Sequence, residues 1–283
     1  MDQLVDNPCA NRRNARPGKA RGQLITFYTA IGKAVTAAVH YPQYLSLPPT
    51  MERVHMANAK TALIIGASRG LGLGLVQRLN EDGWNITATV RNPQQPGALA
   101  DVPGVRIEQL EMNDTAQLDG LQQRLHGQVF DLVFVNAGVM GPLPQNLETV
   151  QRSDIGDLFM TNAVAPIRVA RRLVGQVREG SGVLAFMSSI LGSVTIPDGG
   201  EICLYKASKA ALNSMINSFV VEQQRPDLCV LAMHPGWVKT DMGGENAEID
   251  VFTSTRGMLD QINAQSGTGG LRFINYKGEP LVW

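Results

Sequence analysis

Residues 61–72 read Thr61-Ala62-Leu63-Ile64-Ile65-Gly66-Ala67-Ser68-Arg69-Gly70-Leu71-Gly72. A short apolar run enters a glycine-rich turn, and helical periodicity over 70–82 follows. Strand, tight turn and helix in that order open a βαβ unit. Glycines let the backbone turn sharply and let a pyrophosphate approach the helix start. Unpaired amides and the helix dipole there favour an anion. The spacing is G-x-x-x-G-x-G, not the commoner G-x-G-x-x-G. Alone, such a turn also fits a purely structural role. Its place between a first strand and a first helix adds weight to phosphate binding.

Outward from this turn the rhythm repeats. Further strands are predicted at 85–90, 105–110, 131–135, 182–187, 228–233 and 271–275, after the first at 61–65. Helices are predicted at 70–82, 114–126, 154–178, 203–224 and 251–264. Alternating strands and helices imply parallel strands with right-handed crossovers. The expected fold is therefore α/β: a single doubly wound Rossmann-type domain whose seven-stranded parallel sheet is flanked by helices. Such sheets bind ligands beyond the carboxyl ends of their strands.

Before residue 56 this rhythm is missing. Residues 1–55 contain a basic run (Arg12, Arg13, Arg16, Lys19, Arg21) and Pro42, Pro48 and Pro49. They read as a disordered leader, a tag or a start placed too early, with a helix possible only within 24–40. Residues 56–283 are expected to form the dinucleotide-binding catalytic domain.

Composition narrows the function. Formal net charge is +0, which gives no general attraction to nucleic acid or to an anionic membrane. No stretch of about 18 apolar residues is present to span a bilayer. Cys9, Cys203 and Cys229 are far apart, and His40, His55, His126 and His234 are scattered. Reduced thiols in a cytoplasmic protein and no metal site are expected.

The chemistry is sought at the strand ends. Tyr205-Lys206-Ala207-Ser208-Lys209 opens a helix and puts Tyr205 and Lys209 four apart on one face. A free phenol has a pKa of about 10, and a nearby ammonium or oxidised nicotinamide is expected to lower it. Alone, this pair equally fits a surface Tyr and Lys. Upstream, Met187-Ser188-Ser189 ends the fifth strand, where a hydroxyl can hold a carbonyl oxygen. Asn136-Ala137-Gly138 ends the fourth, with small residues that admit a cofactor. Asn162 lies in the next helix, and a buried amide there needs a partner. The sixth strand ends in His234-Pro235-Gly236-Trp237-Val238-Lys239-Thr240, a turn that offers amides and a hydroxyl to a nicotinamide. No acid follows the second strand; Arg91 does, and Arg69 sits in the glycine loop. An acid would bind a ribose 2′-hydroxyl and repel a 2′-phosphate, so NADP(H) is expected over NAD.

In this order the motifs resemble the short-chain dehydrogenase/reductase family, from about residue 60 onward. Gly66, Gly70 and Gly72 match its glycine loop, Asn136, Ala137 and Gly138 its N-A-G motif. Asn162, Ser189, Tyr205 and Lys209 match its catalytic tetrad, and Pro235, Gly236 and Thr240 its P-G-x-x-x-T turn. The resemblance implies hydride transfer at nicotinamide C4 with Tyr205 as general acid. It makes Ser189 the substrate hydrogen bonder and Lys209 the ribose binder, and has Asn162 hold a relay water. Further cofactor contacts are implied at Ser68, Arg69, Leu71, Arg91, Glu111, Met112 and Val238.

Three departures stand out. Ile65-Gly66 replaces the usual Thr-Gly, Glu111 stands where an Asp usually meets adenine, and the Ser189–Tyr205 interval is long. The 192–200 segment and the ending Phe273…Trp283 look like the carbonyl-reductase branch that includes sniffer-like and C-factor-like proteins. The implied substrate is a small carbonyl or alcohol, handled by a monomer or homo-oligomer. Too few residues follow Tyr205 for the second domain of an epimerase-type relative. A non-catalytic NADP-binding protein with a redox or developmental signalling role is the competing reading. An intact tetrad argues against it.

Overall fold

The computed structural model describes residues 59–197 and 200–283. The expectations for residues 1–55, including a helix within 24–40, fall outside these residues. Seven strands form one parallel sheet: β1 (Thr61–Ile65), β2 (Asn85–Val90), β3 (Arg106–Gln109), β4 (Leu132–Val135), β5 (Val183–Met187), β6 (Cys229–His234) and β7 (Gly270–Asn275). Their order is β3-β2-β1-β4-β5-β6-β7. The direction of winding reverses between β1 and β4, which pair from Ala62–Leu132 to Ile65–Val135. A crevice opens at the carboxyl ends of strands at such a reversal.

Both sheet faces are covered, which is why the strands read as near-continuous apolar runs. Leu63, Ile65, Val133, Val135 and Phe186 face one core. There they meet Leu118 and Leu121 of α2 (Thr115–Arg124), Val169 of α4 (Ala165–Leu173) and Leu212 of α5 (Cys203–Gln223). Ala62, Ile64, Leu132 and Phe134 face the other, against Leu75 and Leu79 of α1 (Gly70–Glu81) and Met258 and Leu259 of α6 (Val251–Gln265). The helices α1 and α6 approach closely at Gly74, where a Cβ would lie 2.4 Å from Val251.

Local chemistry sets the helix ends. The Asp114 carboxylate accepts from the Ala116 and Gln117 amides and starts α2. Asp250 caps α6 through the Thr253 amide at 2.7 Å. The helix α5 stops at Gln224, which takes a left-handed conformation (φ 51°).

One expectation needs correction. The single helix predicted over 154–178 is two helices, α3 (Arg152–Phe159) and α4, joined by a π turn at Met160–Val164. In an α-helix the carbonyl of Asn162 would accept from residue 166, and Pro166 has no N–H to give. The chain ends this stretch in a 3-10 turn at Val174–Gln176. Two other 3-10 turns, Gly97–Asp101 and Ile190–Gly192, were not anticipated. Among the described residues no helix is long and apolar enough to cross a membrane, and no group of His, Cys, Asp or Glu could hold a metal.

Candidate active site

A cleft of about 490 Å³ lies over the carboxyl ends of the central strands. Its walls run from the glycine turn past Arg91 and Glu111 to Tyr205, Lys209 and Thr240.

The glycine turn is held from three sides. Gly66 has φ +85°, and a Cβ there would lie 2.6 Å from that of Ala137. Its N–H donates to Thr89 Oγ1 (3.0 Å), and its carbonyl accepts from Asn136 Nδ2 (2.6 Å). A Cβ at Gly72 would lie 2.0 Å from that same carbonyl oxygen, so only glycine lets α1 begin this close to the strand end. The first turn of α1 carries no acidic residue and no side-chain cap. Gly70 and Leu71 of that turn line the cleft, and helix-start amides without an internal acceptor suit an anion. Ser68 and Arg69 line the cleft beside them, and across from them stand Arg91, Glu111, Met112, Asn136, Ala137 and Gly138. Arg69 pairs with Asp241 at 2.5 Å, both largely exposed.

At the other end of the cleft, Tyr205 and Lys209 sit one turn apart on α5, and both are buried. Lys209 Nζ donates to the Met187 carbonyl (2.8 Å) and lies 5.8 Å from the centre of the Tyr205 ring. The two adjacent serines divide their work. Ser188 Oγ donates to Asn213 Oδ1 (2.6 Å) behind β5. Ser189 is hydrogen-bonded to the Tyr205 side chain, and its Oγ accepts from the Leu191 amide (3.2 Å). Asn162, fully buried in the π turn, clasps Val139 on both sides. Its Oδ1 accepts from the Val139 N–H (2.8 Å) and its Nδ2 donates to the Val139 carbonyl (2.8 Å). The same Nδ2 donates to Ser208 Oγ (3.0 Å).

Burial dominates the electrostatics. It pushes the Tyr205 phenol up to about 12, with the Ser189 hydrogen bond pulling the other way. It brings Lys209 down to about 8. The expected lowering of the phenol by Lys209 is thus not what this cluster shows. The ammonium is aimed at Met187 rather than at the phenol oxygen, and desolvation is the larger effect.

A family model described as short chain dehydrogenase matches residues 60–250. The chain belongs to that family. Similar solved structures include a carbonyl reductase from Pseudomonas aeruginosa PAO1 in complex with NADP. It is 35% identical, the match covering 80% of this chain and 100% of that one, with a TM-score of 0.75. The carbonyl reductase Sniffer of D. melanogaster is 30% identical over 80% of this chain and 100% of its own, with a TM-score of 0.71. C-signal of Myxococcus xanthus is 34% identical over 154 residues, 54% of this chain and 92% of that protein.

In this short-chain dehydrogenase some residues singled out from sequence stand behind the cleft wall rather than in it. Gly72 is a buttress under the glycine turn. The Pro235 carbonyl accepts from Ser254 Oγ (2.7 Å). Gly236 (φ +84°) packs against Ile249 and Tyr276. Val238 is buried, and its carbonyl accepts from Thr240 Oγ1 (3.3 Å). Asn162 is fully buried behind the wall, whereas Ser189 meets the cleft through its hydrogen bond to the lining Tyr205 side chain. Sequence reasoning missed Thr89, Gln145, Ser208 and Asn213. A buried Thr89 near the carboxyl end of β2 could not be told from Thr87 two residues earlier, since both are threonines of one strand. Gln145 gave no signal, because its partner is 60 residues away.

Proposed function

We propose that this short-chain dehydrogenase uses NADPH to reduce a small ketone or aldehyde, with Tyr205 protonating the carbonyl oxygen. The observation that carries this reading is the buried Ser189–Tyr205–Lys209 cluster at one end of a cleft whose other end is an uncapped helix start between two arginines. The residues present fit a dinucleotide phosphate. The glycine turn and the first amides of α1 would hold the pyrophosphate, and Arg69 and Arg91 a 2′-phosphate. Lys209 would hold the adjoining ribose, and Thr240 would bound the nicotinamide end. When bound, the reduced nicotinamide supplies a hydride to the substrate carbon. The similar Pseudomonas reductase, solved with NADP, supports this assignment.

The chain's own residues carry the rest. The hydroxyls of Ser189 and Tyr205 together cradle one carbonyl oxygen. Burial raises the phenol to about 12, so it holds its proton at working pH, as a weaker acid than a free phenol. Lys209 Nζ lies 5.8 Å from the centre of that ring, a nearby positive charge that favours the phenolate left after donation. Both Nδ2 hydrogens of Asn162 are engaged, so a relay water would meet its Oδ1 or its main chain.

The test is NADPH oxidation over a panel of activated carbonyls, run beside NADH. Turnover with NADPH well above NADH is expected. Tyr205→Phe should lower turnover by about 10²–10⁴-fold while NADPH binding stays nearly intact. Retained turnover in Tyr205→Phe would remove Tyr205 from the role. The similarity to C-signal favours a second reading, a non-catalytic NADP-binding signalling protein. Tight NADPH binding with no turnover on the whole panel would favour it.

A further inference from the structure

The helix α5 carries Tyr205 in its first turn but has no cap of its own. The residue before it is Ile202, which has no side-chain acceptor. The N–H of Tyr205 is one of the donors that a helix start leaves without an internal partner. It is met from elsewhere in the chain: the N–H donates to Gln145 Oε1 at 2.9 Å. Gln145 is buried, and its Nε2 donates in turn to the Met140 carbonyl (2.9 Å). Its own carbonyl lies 3.8 Å from the thiol of Cys203, the first residue of α5.

From Met140 the chain of contacts returns to Tyr205. Val139, next to Met140, is clasped by Asn162, whose Nδ2 donates to Ser208 Oγ. Ser208 Oγ donates to the carbonyl of Tyr205 (2.7 Å). Both backbone polar groups of Tyr205 thus belong to one closed ring of hydrogen bonds, buried at Tyr205 and part-buried at Val139 and Met140. The ring passes through two amide side chains, a hydroxyl and the loop after β4. That loop also carries Val139, Leu143 and Leu147, whose apolar side chains are exposed.

We propose that Gln145 is a positioning residue for the acid, fixing the Tyr205 backbone so that its phenol meets Ser189. This rests on the reading of Tyr205 as proton donor. It further couples the apolar loop 139–147 to the acid, because any shift of that loop pulls on the Tyr205 amide. A displacement on the order of 1 Å at a reacting group costs about 10²-fold in rate.

The test compares kcat, KM and NADPH affinity in the full chain. Gln145→Met removes both contacts with little change in volume, and Gln145→Glu keeps an acceptor for the Tyr205 amide. Expected is a loss of about 10- to 100-fold in kcat for Gln145→Met, NADPH affinity unchanged, and most of the rate recovered in Gln145→Glu. A merely structural role would lower stability without that recovery of kcat. Should Gln145→Met not fold, Ser208→Ala opens the same ring at the carbonyl of Tyr205. It should lower kcat several-fold at unchanged NADPH affinity. Parent-like kcat in the folded variants, or Gln145→Glu no faster than Gln145→Met, overturns the inference. Tyr205→Phe is run alongside. If it keeps its turnover, the acid assignment fails by itself, whatever the Gln145 variants do.

Discussion

Lys209 is a buried amine at the end of the cleft, and its protonation is set against the fold's stability. Its native pKa of about 8 lies below the free value of 10.5. Between these values the unfolded chain holds a proton that the native state lacks, so stability rises with pH across that window. Below pH 8 the native protein carries a buried charge that costs about 3 kcal/mol. Lys209→Met removes it. The variant without cofactor should melt higher than the parent at pH 7, and the gap should narrow as the pH approaches 10. Thermal unfolding at both pH values checks this. A gap of equal size at both would mean that burial of the amine is not the cause. The same residues mark how far sequence reading reaches. Helical spacing puts Tyr205 and Lys209 on one face, but the pair became legible only beside the strand-end motifs and their family order. The direction of the phenol's shift was not legible, because desolvation depends on what other segments bring to cover the ring. The resemblance picked Ser189 over Ser188, and their partners, Tyr205 and Asn213, give the physical difference between them.

At the level of elements, the junction of β1 and α1 was readable to within a residue, since apolar run, glycine turn and helical period all change within a few positions. Its tolerance is a packing matter. A methyl group at Gly72 would collide with the Gly66 carbonyl oxygen, which is backbone and has no rotamer to yield. Gly72→Ala should therefore push α1 off the turn and weaken NADPH binding by at least about tenfold, a loss of about 1.4 kcal/mol. Fluorescence titration of NADPH measures it, and an unchanged affinity would show that the turn can flex. The stretch over 154–178 was harder. Its apolar period runs on without an obvious stop, so it reads as one helix. Pro166 was the available sign, since a proline inside a helical pattern breaks the ladder at the residue four before it. What the sequence could not convey is that the displaced residue, Asn162, uses the slack to reach Val139 and Ser208. The seven strand positions and their parallel arrangement followed from the βα alternation. The side-chain ring around Tyr205 did not, because its members are separated by tens of residues and share no period.

For the whole molecule, among the described residues every strand of the sheet and every residue lining the cleft lies within residues 61–283. The family match begins at residue 60. A chain lacking residues 1–55 should then keep NADPH-dependent turnover and thermal stability alike. Loss of either would give that segment a part in the enzyme. The near-contact of α1 and α6 at Gly74 has a consequence for how such a chain is made. The first helix leaves the ribosome early, with Leu75, Val76 and Leu79 turned outward. Their cover, Met258, Leu259 and Ile262, is synthesised only after five of the remaining strands have appeared. Throughout that interval the nascent protein displays a greasy flank, the kind of surface to which chaperones bind and through which unfinished chains aggregate.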